Sequence, residues 1–199
     1  GVNNYAFHLD GNTNATITNS GTLTGATAAI ANTDAGGTGV LTFTNQTGGT
    51  INGGITAASN AAYDIDSQGG SITGDITLNG TTGNTFALSG GSEITGDVDL
   101  GNGATHTVTL TRGSVSGSFD FGDTPNTSAT INPAAGQVLG LLNAGSTAVR
   151  GEQTTLNMTG AGTLRLAGNV VDSIGGDNDI TLDIDSGTLE FTGDSTIDG

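Results

Sequence analysis

The sequence predicts an all-β fold, a right-handed parallel β-helix of about 22 residues per coil with roughly eight to nine coils. Three observations carry this. The phrase GGSITGDITLNG at 69–80 returns as GGSEITGDVDLGNG at 90–103 and, blurred, as RGSVSGSFDFGD at 112–123. Apolar residues alternate over short stretches, the period of a strand with one buried face. Only two prolines occur, Pro125 and Pro133, and both flank one predicted strand rather than interrupt it.

The rung can be built strand by strand. Aligned on the second inward position of the first strand, eight copies appear: Ile17, Phe43, Ile65, Leu88, Leu110, Ile131, Met158 and Ile184. A companion lies two residues before each, from Ala15, Leu41, Tyr63 and Phe86 to Val108, Ala129, Leu156 and Leu182. A second column follows a Gly/Ser corner: Leu23, Ile51, Ile72, Ile94, Val115, Val138, Leu164 and Leu189. Two residues beyond six of these stands glycine (Gly25, Gly53, Gly74, Gly96, Gly117, Gly140), which permits a bend. In the clearest rungs an apolar pair follows, Ile76 with Leu78, Val98 with Leu100, Phe119 with Phe121. One rung is therefore three short strands, which cannot bury a face alone and must stack on its neighbours. Longer intervals place loops at 26–37, 141–153 and 170–179 on one side of the stack. The whole chain, 1–199, reads as a single repeat domain. Because it opens on GVNNYAF, with neither Met nor a leader-like segment, it is expected to be a piece of a longer secreted chain.

Composition narrows the function. The net charge is -16, Lys is absent, and Arg112, Arg150 and Arg165 are the only fixed cations. Nothing is available to neutralise a row of phosphates or an anionic membrane, so neither nucleic acid nor membrane insertion is expected. Without Cys, no disulfide staples the fold. No catalytic constellation stands out. The NTD triplet at 32–34 occurs without the other acids and bases a sugar hydrolase or lyase would need, and His8 and His106 lie far apart without a nucleophile motif. Gly101-x-Gly103 and Gly160-x-Gly162 lack the helix of a phosphate-binding loop. No catalytic, cofactor-binding or metal residue is assigned.

Four D-x-D pairs deserve separate weighing: Asp64 with Asp66, Asp97 with Asp99, Asp177 with Asp179, and Asp183 with Asp185. Each puts two carboxylates on one strand face, and a structural calcium is the one cofactor left open, although solvated acid is the preferred reading. The outward T-x-T pairs would suit an ice-binding face, but aspartate interrupts the array and β-branched threonine is simply at home on an exposed strand. Five glycosylation sequons, at Asn14, Asn45, Asn79, Asn126 and Asn157, match what chance yields in so Asn- and Thr-rich a chain. Asp75 and Asp97 fall at equivalent positions on successive coils, an apparent like-charge clash calling for a cation, water or a shared proton.

The phrases GTLTG, GSITGDITL, SEITGDVDL, GSVSGSFDF and SGTLEFTG, spread over nearly the whole chain, resemble the passenger repeats of bacterial autotransporters and related secreted adhesins. The resemblance implies export, display on the bacterial cell surface, and a non-enzymatic role as an adhesin or self-association stalk. Its partners would be a host or neighbouring-cell surface ligand or further copies of itself. A subunit of an extracellular filament or surface layer is the alternative, with a polysaccharide-active enzyme a more distant one. The resemblance carries no site residues, because these repeats have none in fixed positions.

Overall fold

The computed structural model describes residues 4–9, 12, 14–33, 36, 38–57, 61–79, 82–103, 105–123, 127–172 and 180–198. Pro125, Asn126, Asp177 and Asp179 lie outside them. Among the described residues the strands pair in parallel throughout, and there is no helix.

The first strands of the rungs form one eight-stranded sheet: Ala15–Asn19, Leu41–Gln46, Tyr63–Gln68, Thr85–Ser89, Thr107–Leu110, Ser128–Ile131, Thr155–Met158 and Thr181–Ile184. The second and third strands form two further faces, joined into one 15-stranded sheet. The predicted right-handed parallel β-helix is the fold, with about seven turns spanned by the eight first strands. Its core is a set of columns along the axis. Ile51, Ile72, Ile94 and Val115 stack on the second face, while Ile30, Ile55, Ile76, Val98, Phe119, Val149 and Val170 stack on the third; all are buried. Each column supplies a buried apolar contact above and below, so burial scales with the number of rungs rather than depending on one central core.

Three expectations are corrected. Ile65 pairs with Phe86, not Leu88, and Leu88 pairs with the buried Ser67. The slip is two residues, which keeps every side chain on its expected face; only a one-residue slip would turn the strand over. Val138 is 38% exposed and pairs with Thr163, whereas Leu139 and Leu141 take the inward places opposite Gly113 and Val115. Segment 26–37 is no protrusion in its described part, since Ala28, Ala29, Ile30 and Ala31 are fully buried and Ile30–Asn32 is a third strand.

The predicted loop at 141–153 also resolves differently. Val138–Gly151 is one 14-residue strand that runs from the second face round to the third, and Thr163–Asp172 follows it. The extra residues make a bulge between Leu142 and Thr147, where Asn143 Nδ2 donates to the Thr147 carbonyl at 2.8 Å. Residues 170–172 of the other predicted loop belong to Thr163–Asp172; the rest, 173–179, is outside the described residues.

Candidate functional site

The inward positions of the first sheet hold more than hydrocarbon. Following Leu41 and Tyr63, the column at the sheet's leading edge passes through Asn84, His106, Thr127 and Thr154, all buried. His106 Nδ1 accepts the Asn84 backbone N–H at 3.1 Å, and Nε2 lies 2.9 Å from the Gly101 carbonyl, to which it donates. This pattern needs the neutral ring with its proton on Nε2. Burial pulls the His106 pKa below its ordinary value, against the opposing effects of the Gly101 carbonyl and the Asp99 charge. Asn84 in turn donates to the Leu100 carbonyl and accepts the Tyr63 N–H. Both ring nitrogens of His106 are thus committed to holding a corner. His8 is remote from it, stacked on Tyr5 and 2.9 Å from Thr33 Oγ1.

The aspartates behave as local hydrogen-bond acceptors. Asp75 Oδ1 accepts the backbone N–H of Asp97 at 2.9 Å, and Asp97 Oδ1 accepts that of Ser118 at 2.7 Å. The two acids do occupy successive coils, where a cation, water or a shared proton was expected between them; each carboxylate accepts an amide of the next coil, so backbone dipoles answer part of the charge. Asp99 and Asp120 likewise accept the N–H groups of Gly101 and Gly122. Among the described residues, no group of three or more His, Asp or Glu is arranged to hold a metal ion. Asp64 and Asp66 project from the first sheet between Thr42 and Thr44 on one side and, because of the slip, Thr85 and Ala87 on the other. Asp183 lies opposite Asn157. The slip lengthens the outward hydroxyl column, which now runs Thr85, Thr107, Ser128, Thr155 and Thr181, although Asp64 still breaks it from Thr16 and Thr42.

Among the described residues, two of the three arginines form ion pairs. Arg150 donates to Asp120 Oδ2 at 2.7 Å and to Asp123 Oδ1 at 3.3 Å on the third face. Burial raises the Asp120 pKa, while the Gly122 amide and Arg150 pull it down. Arg165 sends Nε and Nη2 to Glu190 Oε2 at 3.0 and 2.9 Å.

A concavity lies on the second face, and no motif in the sequence announces it. A groove of about 230 Å3 is lined by Glu93, Arg112, Ser114, Val138, Leu142 and Arg165, with Gly91, Gly113 and Gly140. Strand register explains its composition. Glu93, Ser114, Gly140 and Arg165 are successive members of one outward column, so two small residues leave a depression between two charged ones. Val138 and Leu142 supply apolar walls, Leu142 folding back over Gly140, where an added Cβ would come within 3.0 Å of it. Gly91 and Glu93 also line a second groove of about 170 Å3, with Gly48, Gly49, Thr50, Gly69, Gly70 and Ser71. The available signal was the scarcity of arginine: residues 112 and 165 are distant in sequence, and only the register brings them to one face. Neither a family model, nor a curated protein, nor a solved structure matches the chain.

Proposed function

We propose that the chain is a non-enzymatic stalk of a secreted bacterial surface protein, displayed outside the cell and acting in adhesion or self-association. The observation supporting this is the repetition itself: the same inward columns run through successive coils while outward positions stay polar. Polar groups are spread along an axis instead of converging on one reacting centre, and His106 is engaged in structural hydrogen bonds. Export by an autotransporter route is part of the proposal and rests on the repeat phrases. Its expected partners are a surface ligand of a host or neighbouring cell, or other copies.

A filament subunit is the second reading, favoured by the parallel ladders that repeat from coil to coil along the axis. In a filament a coil of one copy would pair with a coil of the next in the same way. Electron microscopy of the purified protein, combined with a cell-aggregation assay on bacteria displaying it, tests both. Single short rods with aggregation of displaying cells are expected for the stalk, axial polymers for the filament. Single rods without any effect on cell adhesion or aggregation would overturn the adhesive role.

A further inference from the structure

We propose that the groove between Glu93 and Arg165 binds a carboxylate-bearing sugar residue within an otherwise neutral glycan. This deepens the adhesive reading by naming a ligand class, and its test does not depend on export or rod assembly.

The charge distribution is the starting point. In a chain of net charge -16, the two arginines not committed to the third face line one groove. Arg112 is exposed and makes no ion pair among the described residues. Its guanidinium lies over Gly91, where an added Cβ would stand 3.5 Å from Nε and 3.6 Å from Cζ, so the glycine gives it room against the surface. Arg165 is held by Glu190 through Nε and Nη2. Among the described residues its Nη1 has no partner. A planar guanidinium matches a carboxylate in two parallel hydrogen bonds, which an ammonium cannot do.

The rest of the lining selects what carries that carboxylate. Ser114 offers a hydroxyl on the floor, and Val138 and Leu142 offer apolar walls suited to the C–H faces of a pyranose ring. The adjoining groove, walled largely by glycine, presents backbone rather than side chains to a neighbouring sugar. Glu93 stands where the two grooves meet and disfavours a second carboxylate there. The acidic chain repels dense polyanions generally. A sparse acid in a neutral chain satisfies all three constraints.

Amide chemical shifts of the folded protein, titrated with methyl glucuronide, methyl glucoside and acetate at millimolar concentration, test the proposal. Glucuronide is expected to move the amides of Gly113, Ser114, Val115, Leu139, Gly140 and Leu141, with much weaker responses to glucoside and acetate. Arg112→Gln, an exposed change, should weaken glucuronide binding roughly tenfold, as for loss of one charged hydrogen-bonding partner. Arg150→Gln on the other face should leave it unchanged. The proposal is overturned if glucuronide produces no localised shifts, if glucoside binds equally, if acetate alone reproduces the response, or if Arg112→Gln has no effect.

Discussion

The coils before residue 122 and those after residue 137 turn the same corner in different ways. In the earlier coils a stack of glycines, Gly25, Gly53, Gly74, Gly96 and Gly117, separates second strand from third. An added Cβ on Gly96 would come within 2.6 Å of the Gly74 carbonyl oxygen, and one on Gly117 within 2.4 Å of that of Gly96. Backbone packs directly on backbone. In the later coils Gly140 is not at the corner, and Val138–Gly151 and Thr163–Asp172 continue through the turn with a bulge. Yet the core is indifferent to the change: Phe119 pairs with Val149 and Val149 with Val170 on the far side of the bulge, while Val115 pairs with Leu141 before it. The difference teaches that inward columns hold the register, and corners can be made sharp by glycine or wide by insertion.

The largest test compares equivalent core positions in the two regions. Ile94 and Leu166 belong to one column, through Val115 and Leu141, and are 1% and 0% exposed; truncation of either to Ala should cost about 2–5 kcal/mol, read from the urea unfolding midpoint. A negligible cost at Leu166 beside a large one at Ile94 would show that the wide-cornered coils are not held by their core. The next test sharpens the corner itself. Gly96 has φ +145° and faces backbone, so Gly96→Ala should cost about 1–3 kcal/mol from backbone strain, with the overlap adding to it. Gly140 has no such φ, and the nearest atoms to its added Cβ belong to the side chain of Leu142 rather than to backbone. Gly140→Ala should stay within about 1 kcal/mol of wild type. Equal losses at the two positions would remove the distinction between the corners.

What was legible in the sequence follows the same line. Period two shows which face a residue occupies, so the inward columns and the strand-only rung could be read directly. It is blind to a slip of two, because Phe86 and Leu88 are both apolar and both inward; Ile65 could stack on either. The choice depends on Asn84 accepting the Tyr63 N–H and on His106 accepting that of Asn84, three-dimensional contacts without a pattern in the sequence. Val138 failed for a related reason: VLGLL offers two alternating frames, and Leu139 with Leu141 buries more than Val138 with Gly140. The groove was invisible because its residues belong to separate rungs. Neither the repeat nor composition contains the distance between Arg112 and Arg165.

Acid titration separates the interior of the sharp-cornered coils from their junction with the wide ones. His106 has a folded pKa below its ordinary 6.5, so the unfolded chain binds the extra proton first. Its contribution is present above that value and is lost as pH falls below it. Asp120, beside Arg150 at the junction, has a folded pKa raised above 3.8. The folded state takes up that proton first, and stability is regained as pH falls through the raised value towards 3.8. The expected melting temperature therefore declines below pH 6.5 and the decline slackens at lower pH. His106→Gln should remove the upper step and leave the lower one; a wild-type melting temperature that is flat from pH 7 to 5 would contradict the buried neutral ring.

The smallest expected effect concerns the aspartate staircase that runs beside the glycine stack and has no counterpart among the described residues of the wide-cornered coils. Like charges at 4 Å repel by about 1 kcal/mol in water, which alone would make Asp75 and Asp97 a liability. Their oxygens instead accept the amides of Asp97 and Ser118, and a charged acceptor makes the stronger hydrogen bond. Repulsion and charge-assisted bonding thus oppose each other at an exposed site. Asp97→Asn keeps an acceptor oxygen for Ser118 while removing the charge, so its net cost should lie within about 0.5 kcal/mol. Asp97→Ala removes the acceptor as well and should cost about 1 kcal/mol more, the usual worth of one such bond. Thermal unfolding of both variants at low and high salt measures the balance: repulsion between the two acids predicts that Asp97→Asn gains relative to wild type at low salt and loses that gain at high salt. If Asp97→Asn were instead as damaging as Asp97→Ala, the negative charge itself would be required at this corner, and the staircase would have to be rebuilt around a cation.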